Sequence, residues 1–95
     1  MPGTLSLASR VRIGTDVVFH DLQGEMVLLN LKTGVYFGLD PVGTRIWQLC
    51  QAPTSVRRIL DALLDEYDVT EARCATDLLE FIRRLREHDL VEAVD

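Results

Sequence analysis

The stretch that decides the fold is Gly34-Val35-Tyr36-Phe37-Gly38-Leu39-Asp40-Pro41. Val35, Tyr36, Phe37 and Leu39 are β-branched, aromatic or large apolar residues, and they predict a strand. Asp40 has the chemistry of a helix N-cap, and Pro41 suits the first helical position, so the strand runs straight into a helix. Gly38 interrupts the strand. A glycine there marks either a twist or bulge, or a place where another backbone comes close.

Upstream, Met26-Val27-Leu28-Leu29-Asn30-Leu31 is an almost continuous apolar run. Such a run predicts a central strand covered on both faces. Lys32-Thr33-Gly34 joins it to the decisive strand as a hairpin turn. Val17 to Leu22 is a third strand, connected by the tight turn Gln23-Gly24. Together these form an antiparallel meander with Val35–Leu39 at its edge, unless the short alternating segment Val11-Arg12-Ile13 covers it. Residues 1–10, with Pro2 and Gly3 among small and polar neighbours, are expected to be a flexible N-terminus preceding a single domain over 11–95.

Downstream the periodicity is helical. The first helix is expected over about 41–51, with Val42, Ile46, Leu49 and Cys50 on one side and Trp47 beside them; Ala52-Pro53 ends it. The second opens near Thr54 or Ser55. Its stripe is Val56, Ile59, Leu60, Leu63, Leu64 and Tyr67. The third starts at Thr70 and runs to about His88. Its apolar residues Cys74, Ala75, Leu78, Leu79, Phe81, Ile82 and Leu85 span an arc of about 160°, wider than one core contact needs. Part of that arc is free to face something other than the core. Leu90-Val91 is a short apolar tail. The fold class is α+β: a three-stranded antiparallel meander followed by three α-helices, winged helix-turn-helix-like.

Composition narrows the function. The chain has 95 residues, 47% of them apolar, which fits one small globular domain. A net charge of −5 argues against nucleic acid as the main partner, because phosphate contacts want a basic surface. No apolar run reaches membrane-span length, and no signal-peptide pattern opens the chain, so a cytoplasmic location is expected. Cys50 and Cys74 sit in apolar helical patterns and read as buried free thiols. His20 and His88 belong to no catalytic signature, and two cysteines with two histidines lack zinc spacing. Asp61, Asp65, Glu66, Asp68 and Glu71 read as a solvated face. Arg83, Arg84 and Arg86 invite a winged-helix DNA-binding regulator as an alternative. The early residues of that helix, Glu71 to Asp77, make a poor major-groove face. No catalytic apparatus and no cofactor is indicated.

The run Val27-Leu28-Leu29-Asn30-Leu31-Lys32-Thr33-Gly34-Val35-Tyr36-Phe37-Gly38-Leu39-Asp40-Pro41-Val42-Gly43-Thr44-Arg45-Ile46-Trp47 closely resembles the PqqD-like proteins, also called RiPP precursor peptide recognition elements. Leu64-x-x-Tyr67-Asp68-Val69 and the closing Leu85-x-x-x-x-Leu90-Val91 are similar too, so the resemblance covers residues 17–92. It implies a non-catalytic module that binds the leader segment of a ribosomally made precursor peptide. The leader adds as a strand on the third strand of the meander and lies against the third helix. The resemblance places peptide binding on Val35, Tyr36, Phe37, Gly38 and Leu39 and on Cys74, Asp77, Leu78, Phe81, Ile82 and Leu85. The Cys74–Phe81 flank is the side expected to face the peptide. The likeness is greatest to the freestanding lasso peptide type. Its partner is a transglutaminase-like cysteine protease on a separate chain, or another modifying enzyme reached through a mostly polar surface. The alternative is a pyrroloquinoline quinone biosynthesis chaperone serving a radical SAM enzyme. Neither nucleic acid nor membrane is implied, and the expected state is a monomer or weak homodimer.

Overall fold

The computed structural model describes residues 5–94. Strands β1 (Arg10–Ile13), β2 (Val17–Leu22), β3 (Glu25–Asn30) and β4 (Val35–Leu39) lead into helix α1 (Pro41–Leu49). A two-residue strand β5 (Thr54–Ser55) precedes α2 (Val56–Glu66); α3 (Glu71–Glu87) and β6 (Val91–Val94) complete the chain. β2, β3 and β4 form the expected antiparallel meander, with β3 in the middle. The segment around Val11 does not cover its edge. Instead β1 lies between β5 and β6 in a second antiparallel sheet.

Local chemistry explains each junction. Asp40 caps α1 by accepting from the Gly43 N–H at 2.7 Å, and Ser55 caps α2 through the Arg58 N–H at 3.2 Å. Gln23 and Gly24 both have positive φ, 58° and 89°, the two-residue turn whose twist matches that of its flanking strands. Gly14 is needed for a different reason. Its N–H donates to the Leu90 carbonyl at 2.9 Å, and a Cβ there would sit 2.7 Å from the Asp89 carbonyl oxygen. No larger residue lets the chain leaving β1 pass this close to the segment that enters β6.

The core is one cluster. Leu28 from β3, Trp47 from α1, Ile59 and Leu60 from α2, Leu78 and Ile82 from α3, and Val11 from β1 are all buried in it. Residues 1–4 of the expected flexible N-terminus lie outside the described residues. The rest of that stretch is anchored. Leu5 and Leu7 pack against the core, and the carbonyls of Leu7 and Ser9 accept from Arg57 and Val56 at the start of α2.

A second expectation needs correcting. The apolar run of β3 suggested burial on both faces, yet only one is covered. Register aligns Phe19, Leu28 and Phe37 on the face toward the helices. Leu28 is fully buried there, and Phe19 meets Trp47 edge-on at 5.6 Å. The opposite face carries the row Val18, Leu29, Tyr36 and the row His20, Val27, Gly38. Val18 is 47% exposed and Tyr36 68%.

Two buried polar side chains tie the sheet to the helices. Thr44 Oγ1 accepts from the Met26 N–H at 3.0 Å and faces the Leu39 carbonyl at 3.4 Å. Asn30 donates through Nδ2 to the His88 carbonyl at 2.8 Å and accepts from the Lys32 N–H at 2.9 Å. Thr44→Val keeps the shape and orphans the Met26 N–H. Loss of a buried donor's partner costs about 1–3 kcal/mol. The expected result is a melting temperature lower by roughly 4–15 °C for a domain of this size, measured by circular dichroism, with the fold retained.

Candidate functional site

The hydrogen-bond alternation of the meander determines what β4 offers at its edge. The two-residue turn makes Leu22 and Glu25 the hydrogen-bonded pair that closes the β2–β3 hairpin. Alternation then directs the polar groups of Val27 and Leu29 toward β2, and those of Met26, Leu28 and Asn30 toward the other side. The Met26 N–H leaves in that direction, to Thr44. Leu28 with Phe37 and Asn30 with Val35 are therefore the hydrogen-bonded pairs of β3 and β4. By the same alternation, the N–H and C=O of Tyr36 and of Gly38 point away from β3. No strand among the described residues pairs with that edge. An extended backbone can satisfy these groups.

Beside the edge lies a groove of about 690 Å³. One wall is the end of β4 and the start of α1, from Gly38 to Val42 and Gly43. The other is α3, through Arg73, Cys74, Asp77, Leu78, Glu80, Phe81 and Arg84. Ile46 and Leu63, both buried, form the floor, and Tyr67 and Val69 close the end beyond α2. Gly43 makes the walls fit. A Cβ on it would lie 3.1 Å from the Phe81 ring and 3.1 Å from the Asp40 carboxylate that caps the helix.

The residues singled out from the sequence divide cleanly. Gly38, Leu39, Cys74, Asp77, Leu78 and Phe81 line the groove. Val35, Tyr36 and Phe37 lie along the same strand outside it, with the Phe37 ring 4.7 Å from that of His88. Ile82 and Leu85 do not reach it; they are 0% and 4% exposed in the core. The Cys74–Phe81 flank faces the groove, while Ala75 and Leu79 pack on the core. Sequence reading missed Val42, Tyr67, Val69, Arg73 and Glu80. Tyr67 fits the stripe of α2 in number, but as the C-cap it has left the helical path. Exposed apolar residues at helix ends were the available signal: Val42, Tyr67 and Val69 are 43%, 37% and 47% exposed.

The groove is mixed in charge. Arg73 pairs with Asp77 at 3.8 Å, and a bidentate Arg45–Glu66 contact at 2.8 Å links α1 to the end of α2 below Tyr67. The Arg45 hydrogen bonds hold the Glu66 carboxyl below its ordinary range. Both cysteines are free thiols; Cys50 is buried as expected, but Cys74 is only partly buried, because it stands in the groove wall. Burial pushes Cys50 up to about 12, and Cys74 is raised by burial and then by Asp77. Because the thiolate is the reactive form, iodoacetamide at pH 8 is expected to leave Cys50 untouched and to modify Cys74 more slowly than a free cysteine. Peptide mapping of the alkylated protein checks this; modification of Cys50 in the folded chain would contradict the buried placement. Among the described residues, no group of three or more His, Cys, Asp or Glu is placed to hold a metal ion.

An unpaired strand edge, a groove beside it and a long helix as the far wall define a peptide-recognition fold. The family description Coenzyme PQQ synthesis protein D (PqqD) matches residues 25–91, and the chain belongs to this family. Among solved structures it is similar to "TbiB1 in Complex with the TbiA(beta) Leader Peptide". The TM-score is 0.83 at 40% identity, covering 88% of this chain and 98% of that one. "Lasso peptide synthetase B1 complexed with the leader peptide" shares the fold, with a TM-score of 0.72 at 19% identity over 86% of this chain and 96% of that one. No curated protein matches.

Proposed function

We propose that this chain binds the leader segment of a ribosomally made precursor peptide and presents it to a separate processing enzyme in lasso peptide biosynthesis. The observation that carries the reading is the free β4 edge, with Tyr36 and Gly38 aimed outward, lying directly beside the groove. Strand addition supplies affinity through the backbone, and side chains entering the groove supply selectivity. The likeness to TbiB1, which was solved with a leader peptide, supports the same reading. The partner is a leader peptidase of the transglutaminase-like cysteine protease type or another modifying enzyme, and the chain works in the cytoplasm as a monomer or weak homodimer. It performs no chemistry itself. It raises the enzyme's effective substrate concentration. The family match keeps a second reading in view, delivery of a pyrroloquinoline quinone precursor to a radical SAM enzyme.

The test is fluorescence polarisation with labelled leaders of both precursor types. A lasso leader is expected to bind at least tenfold more tightly than the quinone precursor, and to protect Cys74 from alkylation. Equal or reversed affinities would favour the second reading, and binding of neither would remove both. Duplex DNA is expected to bind weakly and without sequence preference at physiological salt, given the net charge of −5.

A further inference from the structure

Gly38 has no explanation inside the domain. Its φ is not positive, unlike those of Gly24 and Gly34, so no turn requires it. The register of β4 on β3 runs unbroken from Val35 to Leu39, so it marks no bulge. A Cβ on it would meet no atom beyond its chain neighbours within 4 Å, so nothing in the domain packs into its place. A glycine in mid-strand costs stability and is kept where something else needs the space. A peptide strand on the β4 edge is such a need, because Gly38 aims its backbone there.

The gap opens on the outer face of the sheet. Register and alternation place Gly38 there with Tyr36 on its own strand and with Glu25, Val27 and Leu29 on β3. Val27 lies opposite the gap, half-buried. The Tyr36 ring borders it on one side and is 68% exposed. Glu25 lies toward the other side. Its carboxylate is exposed and makes no ion pair or side-chain hydrogen bond among the described residues. His20, the other ionisable residue of these strands on this face, is on β2, two strands away. A bare ring, an apolar bed and an unpaired carboxylate together suit a long cationic side chain.

Every second side chain of a peptide added to β4 stands on this face, one of them beside Gly38. From that position Glu25 is two strands across and two residues along, roughly 12 Å between Cβ atoms. Lysine and arginine have the length to meet a glutamate over that span. A side chain at position 38 would stand in the path.

We propose that Gly38 is a specificity-determining position: it keeps open a path by which a lysine or arginine of the bound peptide crosses the sheet, lies against Tyr36 and pairs with Glu25. The inference rests on the leader-binding reading above. It demands a basic residue at one register of the leader, a demand that backbone pairing alone does not make. The net charge of −5 favours such a peptide over an acidic one.

The test uses the full chain and a labelled lasso leader at low salt, with leaders in which each lysine or arginine is replaced singly by glutamine. Gly38→Val fills the gap with a good strand former. It is expected to melt a few degrees above the parent and to bind leader at least fivefold more weakly. Glu25→Gln is expected to lose about two- to fourfold at low salt and to equal the parent at high salt, where the pair is screened. One glutamine leader is expected to bind the parent more weakly, and to lose nothing further on Gly38→Val. Parental leader affinity in Gly38→Val, or in Glu25→Gln at low salt, overturns this inference alone. So does a Gly38→Val that melts below the parent, since the glycine would then serve the fold. Coupling of Gly38→Val to no basic residue of the leader overturns it too, as when an aromatic side chain fills the gap. A parent that binds no leader overturns the function and this inference together.

Discussion

Proline at Tyr36 or Gly38 is expected to remove leader binding while the domain stays folded, and proline at Phe37 is expected to unfold the sheet. The three positions are consecutive on β4, yet their N–H groups point in opposite directions. Those of Tyr36 and Gly38 face the free edge, and that of Phe37 faces Leu28 of β3. A proline at an outward position deletes one donor and places its ring where the added strand must approach. Neither change touches a native hydrogen bond or a core contact. Leader affinity should fall at least tenfold, and the melting temperature should move by only a few degrees. At Phe37 the lost donor orphans a carbonyl on β3, costing about 1–3 kcal/mol. The half-buried ring, packed against the core and His88, is lost with it. Together these should lower the melting temperature by more than roughly 10 °C. Polarisation and thermal melting on the same three variants make the check. Parental leader affinity in the Tyr36 and Gly38 variants would show that the peptide does not add to this strand.

The second large effect separates two neighbours on α3. Phe81 stands half-buried in the groove wall against Gly43, whereas Ile82 is 0% exposed in the core. Phe81→Ala should weaken leader binding about 10- to 100-fold, because buried aromatic anchors dominate binding energy. Its stability cost should stay near 1–2 kcal/mol, since only part of the ring leaves an apolar environment. Ile82→Ala should do the reverse. A buried cavity of that size costs about 2–5 kcal/mol, with no direct contact to the groove. Leader affinity measured on the folded fraction should match the parent. Equal leader affinity in Phe81→Ala and the parent would mean that side chains are not read in this groove.

How much of this the sequence disclosed depends on the range of each interaction. The β4 strand, its Asp40 cap and the stripes of α2 and α3 follow from residues a few positions apart, and all three were legible. The over-wide arc of α3 splits: Cys74, Leu78 and Phe81 stand at the groove, whereas Ile82 and Leu85, expected at the peptide too, are buried in the core. The second sheet was not legible. It pairs Arg10 with Ser55 and with Val94. A two-residue strand such as Thr54–Ser55 carries no periodic signal, and pairings that distant leave none in the local pattern. The exposure of the outer sheet face was missed for another reason. A continuous apolar run looks the same whether its second face meets helices of its own chain or awaits another molecule. The far end of the groove was missed because Val42, Tyr67 and Val69 stand at helix termini, where stripe counting stops being informative.

The groove does not run the whole length of β4. Asn30 fastens β3 to the carbonyl of His88, and the Phe37 ring leans on the His88 ring. The residues that line the cavity begin at Gly38 and reach Tyr67 and Cys74, so its space lies beside the second half of β4. Edge and cavity are therefore offset: at Tyr36 the edge has no cavity beside it, whereas Gly38 offers backbone beside open space. Hydrogen bonding to the β4 edge tolerates a strand threaded either way. The offset does not, because a peptide with its bulkier residues at one end seats them only beside Gly38 and Leu39. The offset thus gives a bound segment a polarity. It fixes which terminus leaves the domain on which side, and so where the remainder of the precursor emerges for the next protein to meet.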